Sequence, residues 1–374
     1  MADEKNLEFY RDEILNVDRE IIALMRKRKE LVREIGLFKS SHDLELRDFV
    51  QEKRVMENAM KAADEFRVSR RPVKDIVSRL IEYSLAVQEK SQVKAKGKGS
   101  GRKALVIGGL GKIGVWFSRF LESQGFEVFI ADTGVETESR ILKNNWTAFD
   151  HSFDVTVVAV PLGHSAGVLL ELAEHKMDGL IFDVASLKTP VQDALYQLRD
   201  AGCKVTSVHP MFGADTEMLG GKHVIFMDVG NCEALNEARD LFRATMATCV
   251  EMTLDEHDKL VAFVLGLSHL LNIAFFTALS NSGEEIKRLH EISSTSFDSQ
   301  LEVAQKISAE NPHLYFEIQR LNRYRHLSQK SLTNALTEII HTIESNNESN
   351  FVQYMTKGRE YLKTLPYVKK SDNN

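Results

Sequence analysis

The chain has 374 residues, of which 43% are hydrophobic and 27% charged, and its formal net charge is -6. One compact domain usually takes about 100 to 200 residues, so this length predicts two or three domains. The composition excludes a largely disordered chain, and the acidic balance argues against a nucleic-acid-binding protein.

The cysteines and the apolar segments bear on the cellular compartment. The three cysteines are widely spaced and form neither a CxxC pair nor a zinc-binding pattern, which favours a reducing cytoplasm and no metal site. The first residues lack the features of a secretory signal. The long apolar run at 260–280 is interrupted by Gly266, His269 and Asn272, so we expect a buried interface helix and no membrane role.

Changes in sequence pattern divide the chain. Residues 7–88 have helical periodicity with Gly36 as their one glycine, and the glycine-rich, basic segment 91–103 has the composition of a flexible linker. Short apolar runs then alternate with helix-length segments, which predicts a mainly parallel α/β sheet. Helical patterns follow to about residue 365. The predicted parts are an all-α three-helix domain at 1–92, a linker at 93–103, an α/β Rossmann-type domain at 104–252, an all-α domain at 253–368 and a tail at 369–374.

The first helix carries cations within an apolar stripe. Steps of four and three residues from Leu7 place Arg11, Arg28 and Lys39 on one face with apolar residues between them. A helix of this length spans about 50 Å, too long for so small a domain to cover, so a homodimer is predicted. Cations buried on such a face require an anionic ligand, because an unpaired buried charge is costly.

Residues 7–88 resemble the all-helical chorismate mutase family. The resemblance implies that Arg11, delivered from the partner's first helix, and Arg28 bind the two carboxylates of chorismate, and that Lys39 meets the ether oxygen. It also matches Asp48 and Glu52 to the acidic pair near the ring hydroxyl, and Ser84 and Gln88 to contacts from the third helix. Gln51 stands where the family often has an arginine, which puts full substrate binding in question.

The segment 104–132 has the order of a dinucleotide-binding βαβ unit. An apolar strand leads into a GxGxxG turn, a helix, a second strand and an acidic residue about 20 positions after the turn. The turn brings backbone close to a pyrophosphate at a helix N-terminus, and the acid repels a 2′-phosphate, so NAD is predicted over NADP. The expected cofactor contacts are Gly109, Gly111, Lys112, Ile113, Gly114 and Asp132, with Val160 and Pro161 from a later strand.

Three further motifs indicate the kind of dehydrogenase. They are DVASLK at 183–188, HPMFG at 209–213, and EHD at 256–258 followed by GLSH at 266–269. Residues 104–365 resemble the prephenate dehydrogenase family on these motifs. Together the two resemblances are those of the bifunctional chorismate mutase/prephenate dehydrogenase family of tyrosine biosynthesis, whose substrates are chorismate and prephenate.

The dehydrogenase chemistry requires a base. Oxidation at C4 of prephenate needs a group that takes the hydroxyl proton as hydride leaves, and the neutral imidazole of His209 suits that role near physiological pH. The resemblance implies that Ser186 and Lys188 position the substrate and hold its carboxylate region. It also places His269 against substrate and gives Asp258 an ordering role.

One position departs from the dehydrogenase family. Where the family has an arginine for a prephenate carboxylate, a gap-free placement puts Asp298. Arogenate and 4-amino-4-deoxyprephenate therefore stay open as substrates, because an amino group suits an acidic partner. Two further alternatives are an N-terminal domain that only binds ligand or dimerises, and a 3-hydroxy acid dehydrogenase; the latter leaves the cationic stripe unexplained.

Overall fold

The computed structural model describes residues 2–42, 44–134, 139, 141–149 and 152–365. They form two compact units, Met1–Leu254 and Asp255–Asn374, which are described separately. The tail predicted at 369–374 lies outside the described residues.

Three helices open the first unit: α1 (Ala2–Ser41), α2 (Phe49–Glu65) and α3 (Arg70–Lys96). Helix α1 is 40 residues long, and its apolar stripe packs on α3 only towards its C-terminal end, where Val32 is 6% exposed. Nearer the N-terminus the stripe is open to solvent: Leu7, Ile14 and Ile21 are 51%, 61% and 50% exposed. The predicted three-helix domain is confirmed, and the described residues leave the apolar stripe on the N-terminal half of α1 open to solvent.

An eight-stranded sheet with flanking helices follows. The elements in chain order are β1 (Lys103–Ile107), α4 (Lys112–Ser123), β2 (Glu127–Ala131), β3 (Leu142–Lys143), β4 (Val155–Val158), α5 (Leu162–Glu174), β5 (Leu180–Asp183), α6 (Gln192–Asp200), β6 (Lys204–Pro210), β7 (His223–Met227), α7 (Cys232–Phe242) and β8 (Thr248–Met252).

The sheet has the order β3-β2-β1-β4-β5-β6-β7-β8, and each neighbouring pair is parallel except β6 with β7. The predicted, mainly parallel Rossmann-type sheet is confirmed. Two strands were not predicted: β3, which has only two residues, and β8, an edge strand that is not fully buried. The chain order reverses between β1 and β4, and the carboxyl ends of β1, β4, β5 and β6 meet at one edge, where such sheets bind ligands.

The segment between the helical domain and the sheet differs from the flexible linker expected there. Helix α3 continues to Lys96, and Val93, which is 5% exposed, joins the hydrophobic core of the sheet domain. A Cβ added to Gly97 would lie 2.4 Å from the carbonyl oxygen of Gln124, and one added to Gly99 would lie 2.3 Å from the Phe126 nitrogen. These glycines therefore allow close packing instead of supplying flexibility.

The second unit is helical, as predicted. Its elements are α8 (Leu254–Val261), a π-helical segment (Ala262–Leu267), α9 (Ser268–Asn281), α10 (Ile286–Glu291), α11 (Thr295–Ser308), α12 (Pro312–Leu321), α13 (Arg325–Glu344) and α14 (Glu348–Lys363). The continuous stretch Leu254–Asn281 is long and apolar enough to cross a membrane by length and composition, which for a single helix is weak evidence.

Candidate active sites

The first candidate site lies between α1 and α3. Nη1 of Arg28 donates to the carbonyl oxygen of Leu80 at 2.7 Å and also to Oγ of Ser84. Among the described residues, Nε and Nη2 of Arg28 have no acceptor, so part of the guanidinium can still bind an anion. Partial burial lowers the pKa of Arg28, because the charged form loses solvation.

Gln88 lies on the same interface, where the two helices approach closely. A Cβ on Gly36 of α1 would be 3.3 Å from both Cα and Cγ of Gln88, so glycine permits this crossing. Gln88 is 7% exposed, and its Oε1 has no hydrogen-bond partner among the described residues. One turn beyond Gly36, Nζ of Lys39 donates to the carbonyl oxygen of Leu46 at 2.6 Å. The α1–α3 interface therefore holds three predicted mutase residues, Arg28, Ser84 and Gln88, and Lys39 lies about one turn further along α1.

The other three predicted mutase residues do not join this group. Asp48 caps α2 by accepting from the Gln51 backbone N–H at 2.9 Å, and Glu52 forms an ion pair with Arg47, Nε to Oε1, at 3.0 Å. Arg11 lies on the exposed N-terminal half of α1. Their proposed contacts with chorismate remain predictions, and the Arg11 contact requires a second chain.

The second candidate site is the glycine turn after β1. Gly108 has φ +80, and a Cβ on Gly114 would lie 2.1 Å from the Gly108 carbonyl oxygen, so the turn and the first turn of α4 pack without room for side chains. Helix α4 begins directly after Gly111, which supplies no side-chain cap. The N–H groups of the first turn of α4 are therefore available to bind an anion.

The remaining predicted cofactor residues surround this turn. Oδ2 of Asp132, which follows β2, accepts from the Leu110 backbone N–H at 2.9 Å and so holds the turn. Lys112 is exposed, whereas Ile113 packs against the core of the sheet domain. Val160 and Pro161 follow β4, on the other side of the point where the strand order reverses. This arrangement fits a dinucleotide whose pyrophosphate lies over the turn.

The predicted base, His209, lies near the carboxyl end of β6 and is 4% exposed. Ser207 and Val208, which precede it, belong to a buried polar network around Asp183 at the end of β5. Oγ of Ser207 donates to Oδ1 of Asp183 at 2.6 Å, and Nζ of Lys188 donates to Oδ2 of Asp183 at 2.8 Å and to the Val208 carbonyl oxygen at 3.1 Å. The network fixes the strand that carries the imidazole.

This network corrects the prediction that Lys188 holds the substrate. The side chains of Lys188 and Asp183 are both 0% exposed, so the ammonium group is committed to the interior ion pair. Removing it to reach a ligand would leave a buried carboxylate without its cation, which is strongly unfavourable. Ser186, two residues earlier, is only partly buried and can still reach a ligand. The structural role of Asp183 as the shared acceptor of this network was not predicted, although an acidic residue at the end of an apolar strand indicates a buried polar contact.

In the second unit, the predicted substrate contact His269 of α9 is largely buried. The ring of His269 stacks on Tyr315 with centroids 4.3 Å apart, and burial lowers its pKa because the imidazolium loses solvation. Its Nδ1 is buried without a hydrogen-bond partner among the described residues. The π-helical segment ends two residues before His269, and such segments are frequent at functional sites.

Two acidic residues of the second unit have local partners. Oδ1 of Asp258 lies 2.8 Å from Nδ1 of His257, both side chains being 0% exposed, which agrees with an ordering role. Asp298, at the position where an arginine was expected, lies 3.5 Å from His290, Oδ1 to Nδ1, on an exposed surface.

The folds and sites define an oxidoreductase of the dinucleotide-binding class joined to an all-helical domain with a cationic site. Family models identify both parts: chorismate mutase type II matches residues 10–89, the nucleotide-binding domain of prephenate dehydrogenase matches 118–251, and its dimerization domain matches 253–357. The chain therefore belongs to the prephenate dehydrogenase family and carries a chorismate mutase domain ahead of it. The nucleotide-binding family model begins at residue 118, after the glycine turn. The assignment of that turn as a cofactor site therefore depends on the structure and the sequence motif.

Individual relatives agree with this assignment. The chain is 23% identical over 357 residues to a T-protein of Haemophilus influenzae, covering 94% of this chain and 91% of that protein. It is 26% identical over 268 residues to a probable arogenate/prephenate dehydrogenase of Methanocaldococcus jannaschii, covering 69% of this chain but 60% of that protein. The fold resembles that of prephenate dehydrogenase from A. aeolicus, with a TM-score of 0.57 and 18% identity over 72% of this chain and 100% of that one.

Proposed function

We propose that the protein is a bifunctional enzyme of tyrosine biosynthesis, which converts chorismate to prephenate and then oxidises and decarboxylates prephenate to 4-hydroxyphenylpyruvate. The order of the family matches supports both activities in one chain. The mutase activity is supported most directly by the guanidinium of Arg28, which is held against Ser84. The dehydrogenase activity is supported by the glycine turn after β1. The product of the first reaction is the substrate of the second.

The mutase reaction is a unimolecular rearrangement, so the domain needs no nucleophile and no proton carrier. Arg28 would hold a carboxylate of chorismate in the compact conformer, and Lys39 would stabilise charge that develops on the ether oxygen. The unpartnered amide oxygen of Gln88 marks a polar position that a ligand can complete. Asp48 and Glu52 would contact the ring hydroxyl once they exchange their present local partners.

A homodimer completes this site in our proposal. The uncovered apolar residues on the N-terminal half of α1 need a partner surface, and a second copy of the helix would supply it. Arg11 would then reach the partner's site. The match of residues 253–357 to a dimerization domain supports a second contact between copies.

The dehydrogenase half requires proton removal beside the cofactor. The glycine turn and Asp132 would hold NAD, which would supply the acceptor for the hydride from C4 of prephenate. His209 would take the hydroxyl proton at a ring nitrogen as the carbonyl forms at C4; loss of the ring carboxylate as CO2 then makes the ring aromatic. Asp183, Lys188 and Ser207 hold the strand of His209 in place.

Asp132 supports NAD over NADP. Its carboxylate stands after β2, where the adenosine ribose of a bound dinucleotide would lie, and would repel a 2′-phosphate. The described cysteines are all free thiols, in keeping with the cytoplasm as the proposed location.

The dehydrogenase substrate can be tested directly. We expect purified full-length protein to form NADH with prephenate at a kcat/KM at least about ten-fold above its value with arogenate or 4-amino-4-deoxyprephenate, and to show little activity with NADP. The specific observation that favours an amino-bearing substrate is Asp298. A reversed preference would therefore assign the amino compound, and inactivity with all three would refute the proposed dehydrogenase function.

A further inference from the structure

Glu89 of α3 is a buried carboxylate that bridges the helical domain and the sheet domain. It is 4% exposed, and each of its oxygens accepts a backbone hydrogen bond from the sheet domain. Oε2 accepts from the Leu219 N–H at 2.8 Å, and Oε1 accepts from the Met246 N–H at 2.5 Å. Burial raises the pKa of Glu89, while the two N–H donors oppose that rise by stabilising the charged form.

Leu219 belongs to the loop that follows the strand of the predicted base. Strand β6 ends at Pro210, and residues 211–222 connect it to β7. Helix α4 holds the same loop at a second point, since Nε1 of Trp116 donates to the Thr216 carbonyl oxygen at 2.9 Å. The loop after His209 is therefore fastened both to the cofactor-binding helix and to the mutase domain.

Glu89 is also adjacent in sequence to Gln88, which faces the mutase site. One helical step turns the side chain by about 100°, so Gln88 points to α1 while Glu89 points to the sheet domain. Both oxygens of Glu89 face N–H donors, and only a carboxylate offers two acceptors. An amide at this position would set its NH2 group against one of the two backbone donors.

We propose that Glu89 is a positioning residue for the dehydrogenase reaction, which fixes loop 211–222 and through it the site around His209 from within the mutase domain. The proposal rests on the proposed function. Helix α3 of the mutase domain would then also support the dehydrogenase site, so the dehydrogenase reaction would depend on the mutase domain. Because the loop begins two residues after His209, a small displacement of the loop is sufficient to misplace the base and lower turnover.

The test is Glu89→Gln in the full-length protein, measured by hydrogen exchange and by kinetics. We expect the Leu219 and Met246 amides to exchange at least about ten-fold faster, because a charge-assisted acceptor is lost. Dehydrogenase kcat with prephenate should fall by about 3- to 30-fold, while KM for NAD stays within about two-fold because the glycine turn is untouched. Glu89→Asp, which is too short to bridge both amides, should behave alike and provides a second variant.

Two control variants separate positioning from general destabilisation. Glu82→Gln makes the same chemical change on the exposed face of α3 and should alter neither measurement. Phe242→Leu removes packing from the buried end of α7, so it should lower Tm and leave kcat unchanged.

The exchange rates and kcat of Glu89→Gln distinguish failure of this proposal from failure of the proposed function. Unchanged exchange at Leu219 and Met246, or faster exchange with wild-type dehydrogenase kcat, would overturn the proposal. If the wild-type protein does not oxidise prephenate, the proposed function fails separately. Amide hydrogen exchange in Glu89→Gln then tests whether Glu89 fixes the loop. Faster exchange along residues 211–222 would support this role, and faster exchange at Leu219 alone would refute it.

Discussion

His209→Asn is expected to lower the dehydrogenase kcat by about 10²- to 10⁴-fold while mutase activity stays within about two-fold. Asparagine is similar in size and can hydrogen-bond to the substrate hydroxyl, but it cannot take the proton. The bonds of Lys188 and Ser207 to Asp183 do not use the residue 209 side chain, so they should keep the strand in place. Steady-state kinetics with prephenate and NAD, beside a calorimetric NAD titration, measure both effects.

His175→Asn is the matched control for this variant. His175 is exposed and follows the C-terminal end of α5, which runs back to the sheet edge opposite the glycine turn. It should retain wild-type kcat. A His209→Asn enzyme within about ten-fold of wild-type kcat would show that another group takes the proton.

Arg28→Ala is expected to reduce mutase kcat/KM by at least about 10²- to 10³-fold, because the cation that holds chorismate is removed from a partly desolvated site. The change should not unfold α3, since Oγ of Ser84 keeps its own bond to the Leu80 carbonyl oxygen at 2.6 Å. Arg28→Lys should restore little, because a lysine lacks the planar donor pair that grips Ser84 and a carboxylate together. Chorismate loss measures the mutase, and NADH from prephenate checks that the dehydrogenase is intact.

Arg26→Ala provides the comparison on the same helix. The Arg26 side chain is 83% exposed and its Nε pairs with Oε1 of Glu30 at 3.1 Å, so its loss should be nearly neutral. Equal mutase activity in Arg28→Ala and Arg26→Ala would contradict the assigned site. It would instead favour an N-terminal domain that only binds or dimerises.

Most of the architecture follows from local pattern. Helical periodicity separates α1–α3 from the sheet, and apolar runs mark six of its eight strands, all except β3 and β8. Helical spacing also places Arg28 on the apolar face of α1, and the family resemblance assigns Ser84 to the same site, where the structure brings the two side chains together. These features are set by residues close together in the chain.

The errors concern residues whose role depends on distant partners. Lys188 looks like a substrate contact until the fold buries it against Asp183. Gly97 and Gly99 have linker composition, but their small size serves packing on residues 124 and 126. Glu89 reads as one more charge on an amphipathic helix, and only the fold brings it to the Leu219 and Met246 amides. Tertiary contacts of this kind leave no local periodic signal.

The central claim, that one chain performs two consecutive reactions at separate sites, is tested most directly by supplying chorismate and NAD alone. We expect NADH, CO2 and 4-hydroxyphenylpyruvate in equal amounts from the wild-type protein. Production should be at least about 10²-fold slower with Arg28→Ala or His209→Asn alone, and it should recover when the two variants are mixed. Failure of the wild-type protein to make NADH from chorismate, while free prephenate added to the same preparation is oxidised, would contradict it.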